Sequence, residues 1–167
     1  DIHSNYEALK TFLLFTDSIP NLKRLCLGDV VGYSTRPNEC IRLLLEREIP
    51  LIMGNHDCAI YSEEERSKFN PLALKVIDWQ AQILLPEYRK MLVDLPLTRQ
   101  INDLISITHG DFSSPTEFLY ITTVNQARRS MNAMPTPVGF FGHTHIPMIF
   151  TQYPDNPPMK YPVRPPM

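Results

Sequence analysis

The residues of this sequence best suited to chemistry are its histidines, which are clustered in a few short segments. Each of the five histidines lies within three residues of a glycine, aspartate or asparagine. The segments are Asp1-Ile2-His3, Gly54-Asn55-His56-Asp57, His109-Gly110 and Gly142-His143-Thr144-His145, with Gly28-Asp29 as a further one that lacks histidine. A single histidine is more often a hydrogen-bonded structural residue than a metal ligand. Here that interpretation would require five independent coincidences.

Imidazole nitrogens mixed with carboxylate oxygens favour one kind of metal site. This donor set suits Mn, Fe, Zn or Ni better than Ca²⁺, and the lack of cysteine in the segments argues against a closed structural zinc site. A pair of such ions about 3.5–4 Å apart stabilises the entering and leaving oxygens of an in-line displacement and generates hydroxide at neutral pH. The residues therefore predict metal-assisted hydrolysis, with two divalent transition-metal ions as cofactors.

Short apolar runs and longer amphipathic ones alternate along the chain, which predicts an α/β fold. The predicted strands are residues 22–27, 49–53, 104–108, 138–141 and 148–151. Four of the chemistry-bearing segments follow directly after a strand. Because ligands of open α/β sheets gather outside the carboxyl ends of strands, we expect these segments to converge.

The helices predicted between the strands share an apolar face at helical spacing. Their ranges are residues 6–16, 37–48, 71–85, 87–93 and 115–131. Ser4 or Asn5 is the expected cap of the first helix. Residues 153–167 form a proline-rich tail that we expect to be irregular or extended. The pattern indicates a single domain over residues 1–167.

Composition excludes several classes of protein. Apolar residues make up 43% and charged residues 20% of the chain, which rules out wholesale disorder. A formal net charge of −2 does not favour nucleic-acid binding, and no apolar run reaches the length of a membrane span. We expect Cys26, Cys40 and Cys58 to be buried thiols in a reducing compartment, and the chain to be cytoplasmic.

Taken together, the segments resemble the motifs of the calcineurin-like metallophosphoesterase superfamily. Its blocks are D-x-H, G-D-x-x-[DG], G-N-H-[DE], H-G and G-H-x-H, and all five occur here in that order, from Asp1 to His145. The resemblance implies a sandwich of two mixed β-sheets flanked by helices. It also implies that the backbone continues before Asp1 and after Met167.

The resemblance further implies a role for each residue of the site. Asp29 would bridge the two ions, beside a hydroxide that attacks phosphorus. His56 would not be a ligand but would contact the phosphoryl group or protonate the leaving oxygen as a general acid. The ligands implied for the first ion are Asp1, His3 and His145, and those for the second are Asn55, His109 and His143.

The stretch from Gly28 to Cys40 resembles the GDxVGYGPxPNEC loop of a group of mostly prokaryotic phosphoesterases. That group includes phosphodiesterases, protein phosphatases and diadenosine tetraphosphatases. Within this stretch, Tyr33 and Asn38 could contact the substrate, or Tyr33 could serve packing and Asn38 could serve as a cap. Eukaryotic-type Ser/Thr protein phosphatases carry, where Gly32 stands, an aspartate that orients the catalytic histidine. In this chain another group would have to orient His56, such as Asp57 or a backbone carbonyl.

The leading hypothesis is hydrolysis of a phosphodiester or phosphomonoester, with a small-molecule or phosphoprotein substrate. The alternatives are a non-catalytic scaffold of the same fold, a protein or dinucleotide polyphosphate phosphatase, and a metal-dependent nuclease. The sequence does not determine the oligomeric state. Asp111 and Ser113 could line the cleft or form a turn, and the two interpretations explain them equally well. For the other residues the structural interpretation is favoured: Trp79 in the core rather than as a base-stacking platform, residues 63–66 as a solvated helix start, and Arg128 and Arg129 on the surface rather than reaching phosphate from the helix.

Overall fold

The computed structural model describes residues 1–153 and 156–163. The chain divides into two compact units, Asp1–Pro96 and Leu97–Met167. The single-domain organisation stays a prediction. Residues 154–155 and 164–167 of the proline-rich tail lie outside the described residues.

The first unit is mainly helical. Its helices are α1 (Tyr6–Asp17), α2 (Pro37–Glu46), α3 (Asn55–Ala59), α4 (Glu63–Arg66), α5 (Pro71–Ile83) and α6 (Pro86–Val93). Asn5 caps α1, because its side chain accepts a hydrogen bond from the backbone of Ala8. Proline begins α2, α5 and α6, where its missing N–H has no partner to lose.

Both strands predicted for the first unit are wrong in extent. Cys26 and Leu51 pair in a single parallel bridge, with the Cys26 amide donating to the Pro50 carbonyl at 2.9 Å and the Ile52 amide donating to Cys26 at 3.2 Å. Pro50 has no N–H with which to extend the ladder, and proline limits strand pairing for this reason. The pair nevertheless brings residues 26–29 beside residues 51–54.

An apolar core holds the helices of the first unit around this bridge. The most deeply buried side chains come from α1, α2, α5, α6 and the loop after residue 29. They include Leu13, Val30, Val31, Ile41, Leu44, Ile77 and Leu92, each at most 1% exposed. Burial of this size makes α5 and the loop after residue 29 parts of one packed structure.

Two small sheets occur among the described residues of the second unit. β1 (Thr98–Gln100) pairs antiparallel with β2 (Ile105–Thr108), which pairs parallel with β3 (Val138–Phe140). β4 (Met148–Thr151) and β5 (Met159–Pro162) form an antiparallel pair. The structure confirms the strands predicted at β2, β3 and β4. β5 falls in the predicted tail, where residues 159–162 are extended, one of the two expected alternatives, and paired with β4.

The long helix predicted over residues 115–131 is wrong in its first half. A short 3-10 turn, Pro115–Glu117, ends at Phe118, whose φ of 49° is left-handed and cannot continue a helix. Helix α7 (Val124–Ala133) begins only after Thr123, which forms a reciprocal capping box with Gln126. The mixed α/β class is confirmed.

Over residues 1–153 and 156–163, no helix combines the length and apolar character that crossing a membrane requires.

Candidate metal-binding residues and their surroundings

The loop of residues 28–34 and the start of α3 lie against each other in the first unit. A Cβ atom at Gly28, where φ is 94°, would lie 2.7 Å from the Cα of Gly54, so only glycine permits this approach. The Asp57 carboxylate also joins the two segments. It accepts hydrogen bonds from the amides of Val30 (2.9 Å), Val31 (3.1 Å) and Gly54 (3.0 Å). These bonds give Asp57, the residue after His56, a structural role in joining the 28–34 loop to the start of α3.

His3 and Asp29 form the first pair of candidate ligands. The His3 Nδ1 atom lies 3.0 Å from the Val31 carbonyl oxygen, which places the Nε2 atom 3.7 Å from Asp29 Oδ2. Asp29 Oδ1 accepts the backbone amide of His56 at 2.9 Å. Metal-ligating groups are commonly oriented in this way by backbone and amide partners. The 28–34 loop therefore orients His3, and the start of α3 orients Asp29.

His56 is 5% exposed, and aromatic rings surround it. The centroids of the His3, Tyr33 and Phe69 rings each lie 4.6 Å from that of His56. A Cβ atom at Gly32 would overlap the His56 ring, coming within 2.9 Å of its Cγ atom. Gly32 therefore makes room for the imidazole, in the position where Ser/Thr protein phosphatases carry aspartate.

The donor chemistry of the first unit fits a divalent cation. His3 and Asp29 offer a ring nitrogen and a carboxylate oxygen that lie within 4.8 Å of each other. A ring nitrogen of His56, which the sequence assigns to the substrate instead, lies within the same distance of both. Such a mixed imidazole and carboxylate set suits transition-metal ions. Of the other two predicted ligands in this unit, Asp1 is exposed and Asn55 is half-buried as the first residue of α3.

His109 and His143 form the corresponding pair in the second unit. His109 directly follows β2 and is 1% exposed, and its carbonyl accepts the Gly142 amide at 2.9 Å. The His109 Nε2 and His143 Nδ1 atoms lie 3.2 Å apart. Two nitrogens bound at right angles to one ion at about 2.1 Å would be roughly 3 Å apart. The pair is therefore spaced to share a cation, whereas His145 of the same unit is exposed.

Many of these predicted ligands adopt a backbone conformation that is rare outside glycine. Residues held at positive φ cost free energy and collect at functional sites. The ligands with positive φ are His3 (51°), Asp29 (51°), His143 (65°) and His145 (54°). The conformation is thus shared by predicted ligands in both compact units.

Residues that the sequence analysis did not single out hold the second pair in place. The Tyr120 ring stacks on His143 with centroids 4.0 Å apart and planes 16° from parallel. The Phe118 ring meets His109 edge-on at 5.8 Å. A Cβ at Gly110 would lie 2.8 Å from the Leu119 carbonyl oxygen, so the chain carrying these rings requires glycine there.

Asp111 is fully buried and ion-paired. Its Oδ2 atom accepts hydrogen bonds from Arg129 at 2.6 and 3.1 Å, while Oδ1 accepts the amide and hydroxyl of Ser113 at 2.7 and 2.8 Å. Burial acts to raise the pKa of Asp111, but the Arg129 guanidinium and the Ser113 bonds outweigh it and the pKa is lowered. The predicted turn at Asp111 and Ser113 is therefore confirmed. Arg129, whose side chain is half-exposed, anchors this turn.

The two predicted substrate contacts have different surroundings. Tyr33 is 53% exposed beside His3 and His56. Asn38 donates to the Ile83 carbonyl and accepts the Leu85 amide, both at 2.9 Å, and so holds the junction of α5 and α6. These bonds agree with the structural alternative for Asn38, in which its side chain serves as a cap instead of contacting the substrate.

Three structural predictions need correction. Trp79 is 41% exposed and does not belong to the core, while Glu65 of the charged run is 5% exposed and pairs with Lys68. Cys26 and Cys40 are buried as predicted, but Cys58 is half-buried. Burial raises the pKa of Cys26 to about 11 and that of Cys40 to about 12.

The chain belongs to the calcineurin-like phosphoesterase family, whose model matches residues 1–139. An uncharacterised protein of Methanocaldococcus jannaschii is 32% identical over 89% of this chain and 61% of its own length. The crystal structure of a metallophosphoesterase from Sphaerobacter thermophilus is 32% identical, with a TM-score of 0.74, over 90% of this chain and 60% of its own. The crystal structure of a hypothetical protein from Pyrococcus horikoshii is 17% identical, with a TM-score of 0.64, over 79% of this chain and 62% of its own length. This likeness shows a shared fold. The chain thus spans about three-fifths of these relatives.

Proposed function

We propose that this protein is a metal-dependent phosphoesterase that hydrolyses phosphodiester or phosphomonoester bonds with two divalent transition-metal ions. The observation that carries the proposal is the pairing of donors within each unit: His3 with Asp29 at 3.7 Å, and His109 with His143 at 3.2 Å. Membership of the calcineurin-like phosphoesterase family supports the reaction class.

The proposed ligand sets follow the family motifs. Mn, Fe, Zn and Ni all suit the donors. When bound, such a pair of ions polarises the phosphoryl group and provides a nucleophile at neutral pH. Asp29 would contact both ions. The remaining ligands would be Asp1, His3 and His145 for one ion and Asn55, His109 and His143 for the other.

His56 would act on the substrate rather than bind metal. Its backbone amide holds Asp29 Oδ1, so the residue stands directly beside a proposed ligand. Its ring is confined by Gly32, Tyr33 and Phe69, which limits the imidazole to a narrow range of orientations. A confined imidazole can contact the phosphoryl oxygens or give a proton to the leaving oxygen.

The proposed substrate is a small-molecule or phosphoprotein phosphoester. Tyr33 would contact it, because its ring is half-exposed and borders His56. The net charge of −2 does not favour nucleic acid. We also propose a cytoplasmic location, which would keep the thiols of Cys26, Cys40 and Cys58 reduced.

The test is a His56→Ala variant assayed on chromogenic mono- and diesters, dinucleotide polyphosphates and cyclic nucleotides, with Mn, Ni, Zn and Mg in turn. We expect turnover to fall about 10²–10⁴-fold, the usual contribution of a general acid, while bound metal measured by mass spectrometry stays at two ions per chain. Asp29→Ala is the contrasting variant and should lose one or both ions.

Each outcome separates the proposal from its alternatives. Unchanged turnover in His56→Ala would remove that residue from the chemistry, and two tightly bound ions in Asp29→Ala would refute the bridging role. A metal-loaded wild-type chain that hydrolyses nothing in the panel would favour the non-catalytic scaffold. Preference for dinucleotide polyphosphates or for phosphoproteins would identify the corresponding phosphatase.

A further inference from the structure

The turn that carries Tyr33 has two consecutive residues at positive φ. Gly32 has a φ of 95° and Tyr33 a φ of 46°, and a left-handed conformation is unfavourable for tyrosine. Such conformations persist only where the surrounding structure holds them. Neighbouring residues must therefore hold this turn in place.

The side chain of Gln80, a fully buried residue of α5, spans the turn. Its Oε1 atom accepts the Gly32 amide at 2.7 Å. Its Nε2 atom donates to the Ser34 carbonyl at 2.5 Å, to the Ser4 hydroxyl at 3.0 Å and more weakly to the Gly32 carbonyl at 3.3 Å. One carboxamide thus satisfies polar groups of Gly32 and Ser34, on both sides of Tyr33, and joins them to Ser4, which follows His3 in the chain.

The placement of two rings depends on this turn. The Tyr33 ring lies with its centroid 4.6 Å from those of His3 and His56. Gly32 lies so close to the His56 ring that no Cβ fits between them. A shift of the turn would consequently move Tyr33 away from the two imidazoles and open space beside His56.

We propose that Gln80 is a positioning residue, which holds the 32–34 turn so that the Tyr33 ring borders His56 and meets the substrate there. The substrate contact rests on the proposed phosphoesterase function, whereas the positioning of the ring does not. Gln80 touches no reacting atom in this scheme and acts through Gly32 and Ser34.

The test compares Gln80→Met, which removes the carboxamide at similar volume, with Gln80→Glu, which keeps the shape and the acceptor for the Gly32 amide. Gln82→Met is the matched control, because Gln82 is an exposed glutamine on the same helix. Three readouts are measured on the zinc-loaded full chain: the nuclear Overhauser contact between the Tyr33 and His56 rings, hydrogen exchange of the Gly32 amide, and kcat and KM separately.

In Gln80→Met we expect the ring contact to vanish and the Gly32 amide to exchange about tenfold faster, as for loss of one hydrogen bond. We expect kcat/KM to fall about 10–100-fold, since small misplacements at a site are costly. In Gln80→Glu the Gly32 amide should stay protected while the ring contact weakens, because the bond to Ser34 is lost. Gln82→Met should match the wild type.

The proposal is overturned if the ring contact survives in Gln80→Met, or if kinetics match Gln82→Met after the contact is lost. Should Gln80→Met not fold, an unchanged ring contact in folded Gln80→Glu overturns it equally. A wild type that hydrolyses no ester would refute the proposed function. In that case the ring contact and the Gly32 exchange would still decide whether Gln80 positions the turn.

Discussion

Replacing Gly32 with alanine tests the geometry around His56 most directly. The added Cβ would lie 2.9 Å from His56 Cγ and 3.1 Å from Cε1, well inside normal contact distance. The backbone φ of 95° adds conformational strain that any L-residue would feel. The ring or the turn must therefore move, and both border the proposed site.

The expected cost follows from these two effects. A left-handed conformation costs a non-glycine residue about 1–2 kcal/mol, and forcing the His56 ring off its rotamer costs about 0.5–1.5 kcal/mol. The free energy of unfolding should thus fall by roughly 1.5–3.5 kcal/mol, the sum of those two ranges. For a chain of this size that corresponds to a melting temperature lower by about 3–14 °C.

Calorimetry, metal analysis and ester hydrolysis together check this prediction. We expect Gly32→Ala to bind as much metal as the wild type but to lose about 100-fold in kcat/KM, because the imidazole no longer lies in place. Ser34→Ala is the control within the same turn, since the Ser34 bonds to Gln80 and His3 come from its backbone. Wild-type stability and turnover in Gly32→Ala would refute the close packing of His56 on Gly32.

Three further predictions concern other parts of the chain. In Gly54→Ala the new Cβ would lie 2.8 Å from Asp29 Cγ, so metal content should fall together with turnover. The pKa of Cys40 is about 12. At pH 8 its thiol is therefore about a thousandfold less ionised than that of free cysteine, so alkylation should be correspondingly slow. The folded state disfavours this thiolate, so the contribution of Cys40 to stability should be constant below about pH 9, the unfolded pKa, and should be lost as pH rises from there toward 12. Arg129→Met leaves the buried Asp111 carboxylate without its cation and should lower the free energy of unfolding by about 1.5–3 kcal/mol.

Each of these predictions has its own control. Gly32→Ala is the counterpart of Gly54→Ala, and equal metal loss in both would contradict the separate roles of the two glycines. Alkylation in urea should restore the reactivity of Cys40, and rapid reaction in the native chain would contradict its burial. Arg128→Met removes an exposed neighbour of Arg129, so an equal loss of stability there would exclude the ion pair as the cause.

Local sequence signals predicted much of the secondary structure. Helices α1, α2, α5 and α6 have predicted starts within one residue of the observed ones, because caps and proline act within a single turn. β2, β3 and β4 were predictable as short apolar runs. The same signals failed for residues 115–131, where the left-handed Phe118 separates two elements. They also failed for Trp79, whose apolar pattern does not decide burial.

The types and order of the candidate ligands are properties of the sequence itself. Donor chemistry belongs to the side chain, and the five motif blocks can be recognised without coordinates. They sufficed to predict the family that the comparison with its model confirms. The roles of the individual ligands remain predictions, which the metal analysis above is designed to test.

The surroundings of His56 were decided by the tertiary structure. Gly32, Phe69 and Gln80 lie up to 48 residues apart in the chain, and none of them carries a local signal of meeting the others. Gln80 and Gln82 look alike in the amphipathic pattern of α5, yet the first is buried against the 32–34 turn and the second is exposed. Which of two identical side chains enters a core depends on the partners that packing brings to it, and those partners are distant in sequence.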